Sequence, residues 1–196
     1  MNGRRTPVRI VALLLAVAAT GTLAYAFSNA RQGYAPRQPI LFKHTRMAGA
    51  PVWQTNEKGE QVNVGGFGIP CLYCHTMPYK GRHSTVPSTA VCMNCHSTVG
   101  LGKEWVLKVK EHWDRGEPIQ WVKVHDMPDF VYYDHSAHMN AKDAQGKPKL
   151  ACKDCHGEVE KRDIVRVETR FNMGWCVDCH RKPEMAASVD CIVCHR

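Results

Sequence analysis

All ten cysteines of this 196-residue chain fall in five copies of one pentapeptide, C-x-x-C-H, with none left over. The copies are CLYCH (Cys71, Cys74, His75), CMNCH (Cys92, Cys95, His96), CKDCH (Cys152, Cys155, His156), CVDCH (Cys176, Cys179, His180) and CIVCH (Cys191, Cys194, His195). A disulfide framework has no need of a histidine after every second cysteine. Zinc sites recruit a second C-x-x-C pair or a distant pair of histidines rather than an adjacent one each time. Chance would put a single such pentapeptide in roughly one chain in thirty of this Cys and His content. The pattern that remains is covalent attachment of c-type haem. Two thiols two residues apart add across the two vinyl groups, and the adjacent histidine reaches the iron, where axial ligation sets spin state and potential. The sequence therefore predicts five haems held by these ten cysteines, with His75, His96, His156, His180 and His195 as proximal ligands.

Composition agrees with a cofactor-filled interior. Large aliphatic residues are concentrated at the N-terminus, which leaves about 170 residues with few core-formers. Domains that small usually need another source of stability. The formal charge of +8 does not point to nucleic acid, because Lys and Arg are scattered without a basic, aromatic-interleaved run. About ten haem propionates would offset it. The macrocycles are expected to form most of the core, leaving mostly irregular structure with short α-helices and an apoprotein that does not fold.

Residues 1–30 read as a transmembrane signal-anchor and 31–196 as an exported haem domain. Arg4, Arg5 and Arg9 flank or begin an apolar run, Val8 to Phe27, whose one charged residue is Arg9. Its length approaches the ~30 Å of a bilayer core at 1.5 Å per residue. Cationic residues before the span keep the N-terminus cytoplasmic. The competing reading is a cleaved signal peptide, since Ala24-Tyr25-Ala26 fits a cleavage site; both export the same domain.

The haem domain reads as two related halves, about 40–100 and 130–196. The first runs FKHTRM (Phe42 to Met47), CLYCH, CMNCH; the second runs YDHSAH (Tyr133 to His138), CKDCH, CVDCH, with CIVCH appended. His135 and His138, three apart, can serve two neighbouring haems. As distal ligands the sequence favours His44, His125, His135 and His138, with Met47 or Met173 supplying a fifth. His44 and His135 hold equivalent repeat positions, and His125 lies in an extended, Pro-bounded segment, PIQWVKVHDMP. A His/Met iron would have the higher potential, although methionine is more often core filler. His112 sits in a predicted amphipathic helix, 101–115, stopped by Gly116 and Pro118, where packing or a propionate contact is as good an account as ligation. His83 lies in the polar run KGRHSTVPS and reads as a loop residue.

GYAPRQPILFKH, VPSTAVCMNCH, EPIQWVKVHDMPDFVYYDHSAH and MGWCVDCHR resemble the pentahaem cytochrome subunit of bacterial alternative complex III, a quinol:electron acceptor oxidoreductase. The resemblance covers nearly the whole chain after the anchor. It implies one transmembrane helix in the bacterial cytoplasmic membrane and a periplasmic domain similar to class III multihaem cytochromes c. It also implies docking against an iron–sulfur subunit and integral quinol-binding subunits. A soluble cytochrome c, a copper protein or an oxidase would be the acceptor. The chain departs from the pattern at Met47, where the family's first half has a second histidine. It also departs at the Gly-rich stretch VWQTNEKGEQVNVGGFG, a candidate hairpin absent from the second half. Two other functions compete. A stand-alone membrane-anchored quinol dehydrogenase would need a quinol pocket and an open haem position. A multihaem reductase of nitrite or a similar oxyanion would need a vacant iron, often marked by a variant motif, and all five motifs here are standard.

Overall fold

The computed structural model describes residues 5–28 and 31–196. Arg4, in the expected cationic flank, and residues 29–30, at the expected end of the anchor, lie outside the described residues. Helix α1, Arg5–Ser28, runs 24 residues, about 36 Å at 1.5 Å per residue. Its window Arg9–Ala26 is long and apolar enough to cross a membrane by length and composition, and no part of it is buried in the protein. The hydroxyls of Thr20 and Thr22 donate back to the Ala16 and Ala18 carbonyls at 2.9 and 3.0 Å. That satisfies them without water, as a bilayer interior would require.

Beyond α1, regular structure is short. The helices are α2 (His44–Met47), α3 (Cys71–Cys74), α4 (Thr89–His96), α5 (Glu104–Arg115), α6 (His135–Met139), α7 (Cys152–His156), α8 (Met173–His180) and α9 (Cys191–Cys194), with one 3-10 turn at Val159–Lys161. Helices of one or two turns do not persist alone in water, so tertiary anchoring must hold them. Protein side chains supply little of it. Among the described residues the buried apolar set is Ile40, Val106, Val109, Ile119 and Val167. Ile40, Val109 and Ile119 pack together, with Cys92, Met93 and Trp121 against them.

Helix α5 starts at Glu104 rather than at residue 101, because Gly100 turns with φ +72° and Gly102 adds a second flexible position. It ends as expected. Gly116 is left-handed (φ 67°), its amide donates to Trp113 O, and the Glu117 amide donates to His112 O, both at 3.0 Å, the paired bonds of a Schellman cap. Ion pairs four residues apart, Lys108 with Glu104 and Arg115 with Glu111, line its outer face, while Val106 and Val109 turn inward towards α4 and Ile40.

The Gly-rich stretch is a hairpin: β1 (Trp53–Thr55) pairs antiparallel with β2 (Gln61–Asn63), Gln54 opposite Val62. Its return limb lies along the end of α2. Amides of Phe67, Ile69, Gly66 and Gly68 donate to carbonyls of Arg46, Met47, Ala50 and Gly49 at 2.9–3.0 Å. The approach is so close that a Cβ on Gly66 would sit 2.0 Å from the Gly49 oxygen. This limb fixes the segment carrying His44 and Met47.

Residues 31–38 are tied to two other segments. Val167 accepts from the Gly33 amide (2.8 Å) and donates its own amide to the Tyr34 carbonyl (3.0 Å). Gln38 clamps Val122 in both directions at 2.9 Å. Arg31 reaches Asp126 and the Val124 carbonyl, each at 3.4 Å. Segment 119–128, which holds His125 at a bend, is thereby tied to the segment that follows α1.

Candidate haem-attachment sites

Each C-x-x-C-H motif (I to V in chain order) occupies a short helix or a helix end: α3, α4, α7, α8 and α9. One helical turn brings both thiols to the same side, and the histidine follows at the C-terminal edge. None of the ten cysteines is paired in a disulfide, and each is exposed or half-buried. Among the described residues no three His, Cys, Asp or Glu side chains converge as a metal shell.

The motifs succeed one another in space in an order different from the chain. Burial, then the neighbouring Cys71 and Cys95, push the Cys74 thiol up; Cys92 likewise feels Cys74. Asn94 of motif II donates to the Tyr73 hydroxyl of motif I at 3.3 Å. Cys152 is raised by burial first and then by Cys71. Cys155 is pushed up to about 11 by burial first and then by Cys179, and Cys176 is raised by burial and then by Cys194. Neighbouring thiols therefore run II–I–III–IV–V.

The histidines carry the most informative geometry. Nδ1 lies against a backbone carbonyl in four motifs: His75 to Thr85 O (3.1 Å), His96 to Val99 O (3.0 Å), His180 to Ser188 O (2.7 Å) and His195 to Phe130 O (3.2 Å). The same holds for His135 with Arg82 O (3.1 Å) and His138 with Asp134 O (2.7 Å). A carbonyl only accepts, so Nδ1 carries the proton and Nε2 keeps its lone pair, the tautomer and orientation a metal ligand needs. Helix α6 aims its two histidines through its Asp134 cap, which accepts from the Ser136 and Ala137 amides.

Two ring pairs then face each other. His135 and His156 are parallel within 2° at 6.4 Å between centroids, and His138 and His180 lie 6.1 Å apart. Imidazoles bound on opposite sides of one ion, at metal–nitrogen bonds of about 2 Å, place their ring centres roughly 6 Å apart. His44 is the third candidate. Burial, then His75, hold it down to about 4, so it is neutral and close to motif I, and its buried Nδ1 has no hydrogen-bond partner.

The remaining expected ligands sit differently. His125 packs edge-on against His156 at 4.5 Å, with its Nε2 3.4 Å from His156 Nδ1. Met47 ends α2 under the hairpin. Met173 opens α8 and is 67% exposed. His112 has a buried Nδ1 without a partner, and His83 is exposed in its loop.

Arg82 and Tyr133 were not singled out from sequence. Arg82 presents its carbonyl to His135 and its guanidinium to the Tyr133 carbonyl at 3.0 Å. Tyr133 packs against both α6 histidines, edge-on to His135 at 4.9 Å and tilted over His138 at 4.5 Å. The aromatic two residues before a repeat histidine was the available signal, since Phe42 sits edge-on to His44 at 4.8 Å in the first half.

These residues fit haem. Paired thiols adjoin imidazoles with an uncommitted Nε2, two of the imidazole pairs stand at the spacing of a shared ion, and apolar residues around the motifs, such as Leu72, Val99, Phe130 and Ile192, are exposed.

No protein-family model matches the chain. It is 28% identical, over 179 aligned residues covering 81% of this chain and 77% of the relative, to the multihaem cytochrome c subunit of menaquinone reductase from Nitratidesulfovibrio vulgaris (strain Hildenborough). That likeness, spanning most of both chains, supports a multihaem c-type cytochrome.

Proposed function

We propose that this chain is the membrane-anchored electron-transfer subunit of a quinone-linked oxidoreductase, carrying five covalently bound haems. The observation that carries the reading is the common pose of the histidines: Nδ1 is spent on a carbonyl at four motifs and at both α6 histidines, leaving Nε2 for iron. The five cysteine pairs would hold the macrocycles, with His75, His96, His156, His180 and His195 as proximal ligands. His135 and His138 would complete the irons of motifs III and IV, and His44 that of motif I. Met47, Met173, His83 and His112 are the candidates for motifs II and V. When bound, haem iron supplies reversible one-electron chemistry at a potential set by its axial ligands. The chain's own part is to orient those ligands, exclude water from them and keep the five sites contiguous in the row II–I–III–IV–V.

The segments quoted above support placement beside iron–sulfur and integral quinol-binding subunits similar to those of alternative complex III. Helix α1 would cross the bacterial cytoplasmic membrane, with the haem domain in the periplasm. Electrons would run from quinol to a soluble cytochrome, copper protein or oxidase. A second reading reverses the direction: the relative is a subunit of a menaquinone reductase, so a periplasmic donor would feed electrons towards the membrane quinone. A self-contained quinol dehydrogenase is the third reading.

Purification from native membranes, followed by the pyridine haemochrome spectrum and intact mass, tests the core of this reading. Five haems per chain and co-purifying membrane subunits are expected; no covalent porphyrin would end it. Quinol-driven reduction of the haems in the complex, against quinone-driven oxidation from a reduced periplasmic donor, separates the two directions.

A further inference from the structure

Motif III stands apart from the other four. His156 has no carbonyl partner at Nδ1; the atom there is Nε2 of His125, 3.4 Å away. The reason is local. Gly157 turns the chain immediately after His156, with φ 69° and ψ −171°, a conformation open to glycine alone. The other motifs find their carbonyl three, eight or ten residues downstream or, at motif V, on Phe130. The His125 ring meets His156 at 88° and a centroid distance of 4.5 Å. That spacing is too short for an ion to lie between the two rings, which needs roughly 6 Å. His135 stands 6.4 Å from His156, its ring parallel within 2°. Phe171 backs His125 edge-on at 5.7 Å and adopts a left-handed φ of 45° to do so; non-glycine residues in that region cluster at functional sites. Segment 119–128 is pinned by Gln38 and Arg31, so the placement does not rest on one contact.

We propose that His125 is a positioning residue for the motif III haem rather than an iron ligand: it accepts the His156 Nδ1 proton in a hydrogen bond and so sets the orientation and donor strength of that ligand. The proposal rests on the haem reading and deepens it. An acceptor at Nδ1 raises the basicity of a ligating imidazole, which favours ferric iron and lowers the potential. Motif III is then the one site of the five whose proximal ligand is oriented by a side chain, and so the one that a single substitution can retune.

The test uses the full chain in its membrane complex, with EPR and redox titration of His125→Leu and His125→Gln. Leucine removes the acceptor; the glutamine amide oxygen restores one. In His125→Leu all haems should stay low-spin while a single midpoint potential rises, and His125→Gln should bring it back towards the parent value. A high-spin ferric signal from one haem in His125→Leu would make His125 an iron ligand and overturn the proposal, as would unchanged potentials. If His125→Leu fails to assemble, His125→Gln decides: low-spin haem with a near-parent potential supports the proposal, and a new high-spin haem overturns it. Failure of the haem reading itself would show separately, as an absent haemochrome spectrum in the parent protein.

Discussion

The two repeat halves begin alike and diverge within one turn of helix. Phe42 packs edge-on to His44 at 4.8 Å and Tyr133 edge-on to His135 at 4.9 Å, so the same aromatic-x-His device sets the first histidine of each. Three residues later the halves part. His138 turns its ring to His180 at 6.1 Å, giving α6 two imidazoles opposite two motifs. Met47 instead ends α2 beneath a glycine-rich hairpin that has no counterpart in the second half. Where the second half holds its helix through a capping carboxylate and the Arg82 carbonyl, the first half holds it through the backbone of the return limb. One change of side chain, Met47 for His138, thus coincides with a different way of holding the turn that carries it.

The largest test of this contrast removes a haem. Cys152→Ala or Cys155→Ala, at the middle of the row, should lose one haem by intact mass and most of the domain's thermal stability. Cys191→Ala, at the end of the row, should also lose one haem but leave the remaining four native by visible spectrum. Equal damage from both would break the row order.

Next comes the second ligand of each half. His138→Ala should convert one haem to high spin in EPR, because its iron would lose the imidazole opposite His180. Met47→His should lower one midpoint potential if the methionine is a ligand, since His/Met irons lie above bis-His ones, and should leave every potential unchanged if it is filler.

Gly66→Ala tests the hairpin. Its Cβ would meet the Gly49 oxygen at 2.0 Å, and overpacking of this kind costs about 1–3 kcal/mol. The thermal midpoint should fall while the haem count stays at the parent value. The smallest effect is expected at Trp53→Ala on the hairpin's outer face, where a side chain 63% exposed should change stability by no more than about 0.5 kcal/mol. A larger loss would mean that the hairpin face is covered in the complex.

The candidate attachment residues were legible because covalent haem chemistry is local: two thiols and an imidazole within five residues are sufficient, whatever surrounds them. The same holds for the apolar length of α1, the Gly116 stop of α5 and the shortage of core-forming side chains. The candidate hairpin was visible in its glycines, yet its strapping of α2 was not, because that depends on backbone carbonyls 16–22 residues away. Tertiary structure alone decided which imidazoles oppose one another, the spatial order II–I–III–IV–V, and the turning of His125 towards Nδ1 of His156. Those are relations between residues tens of positions apart, set by where Gly157, Gln38 and Arg82 send the chain, and no spacing within a motif encodes them.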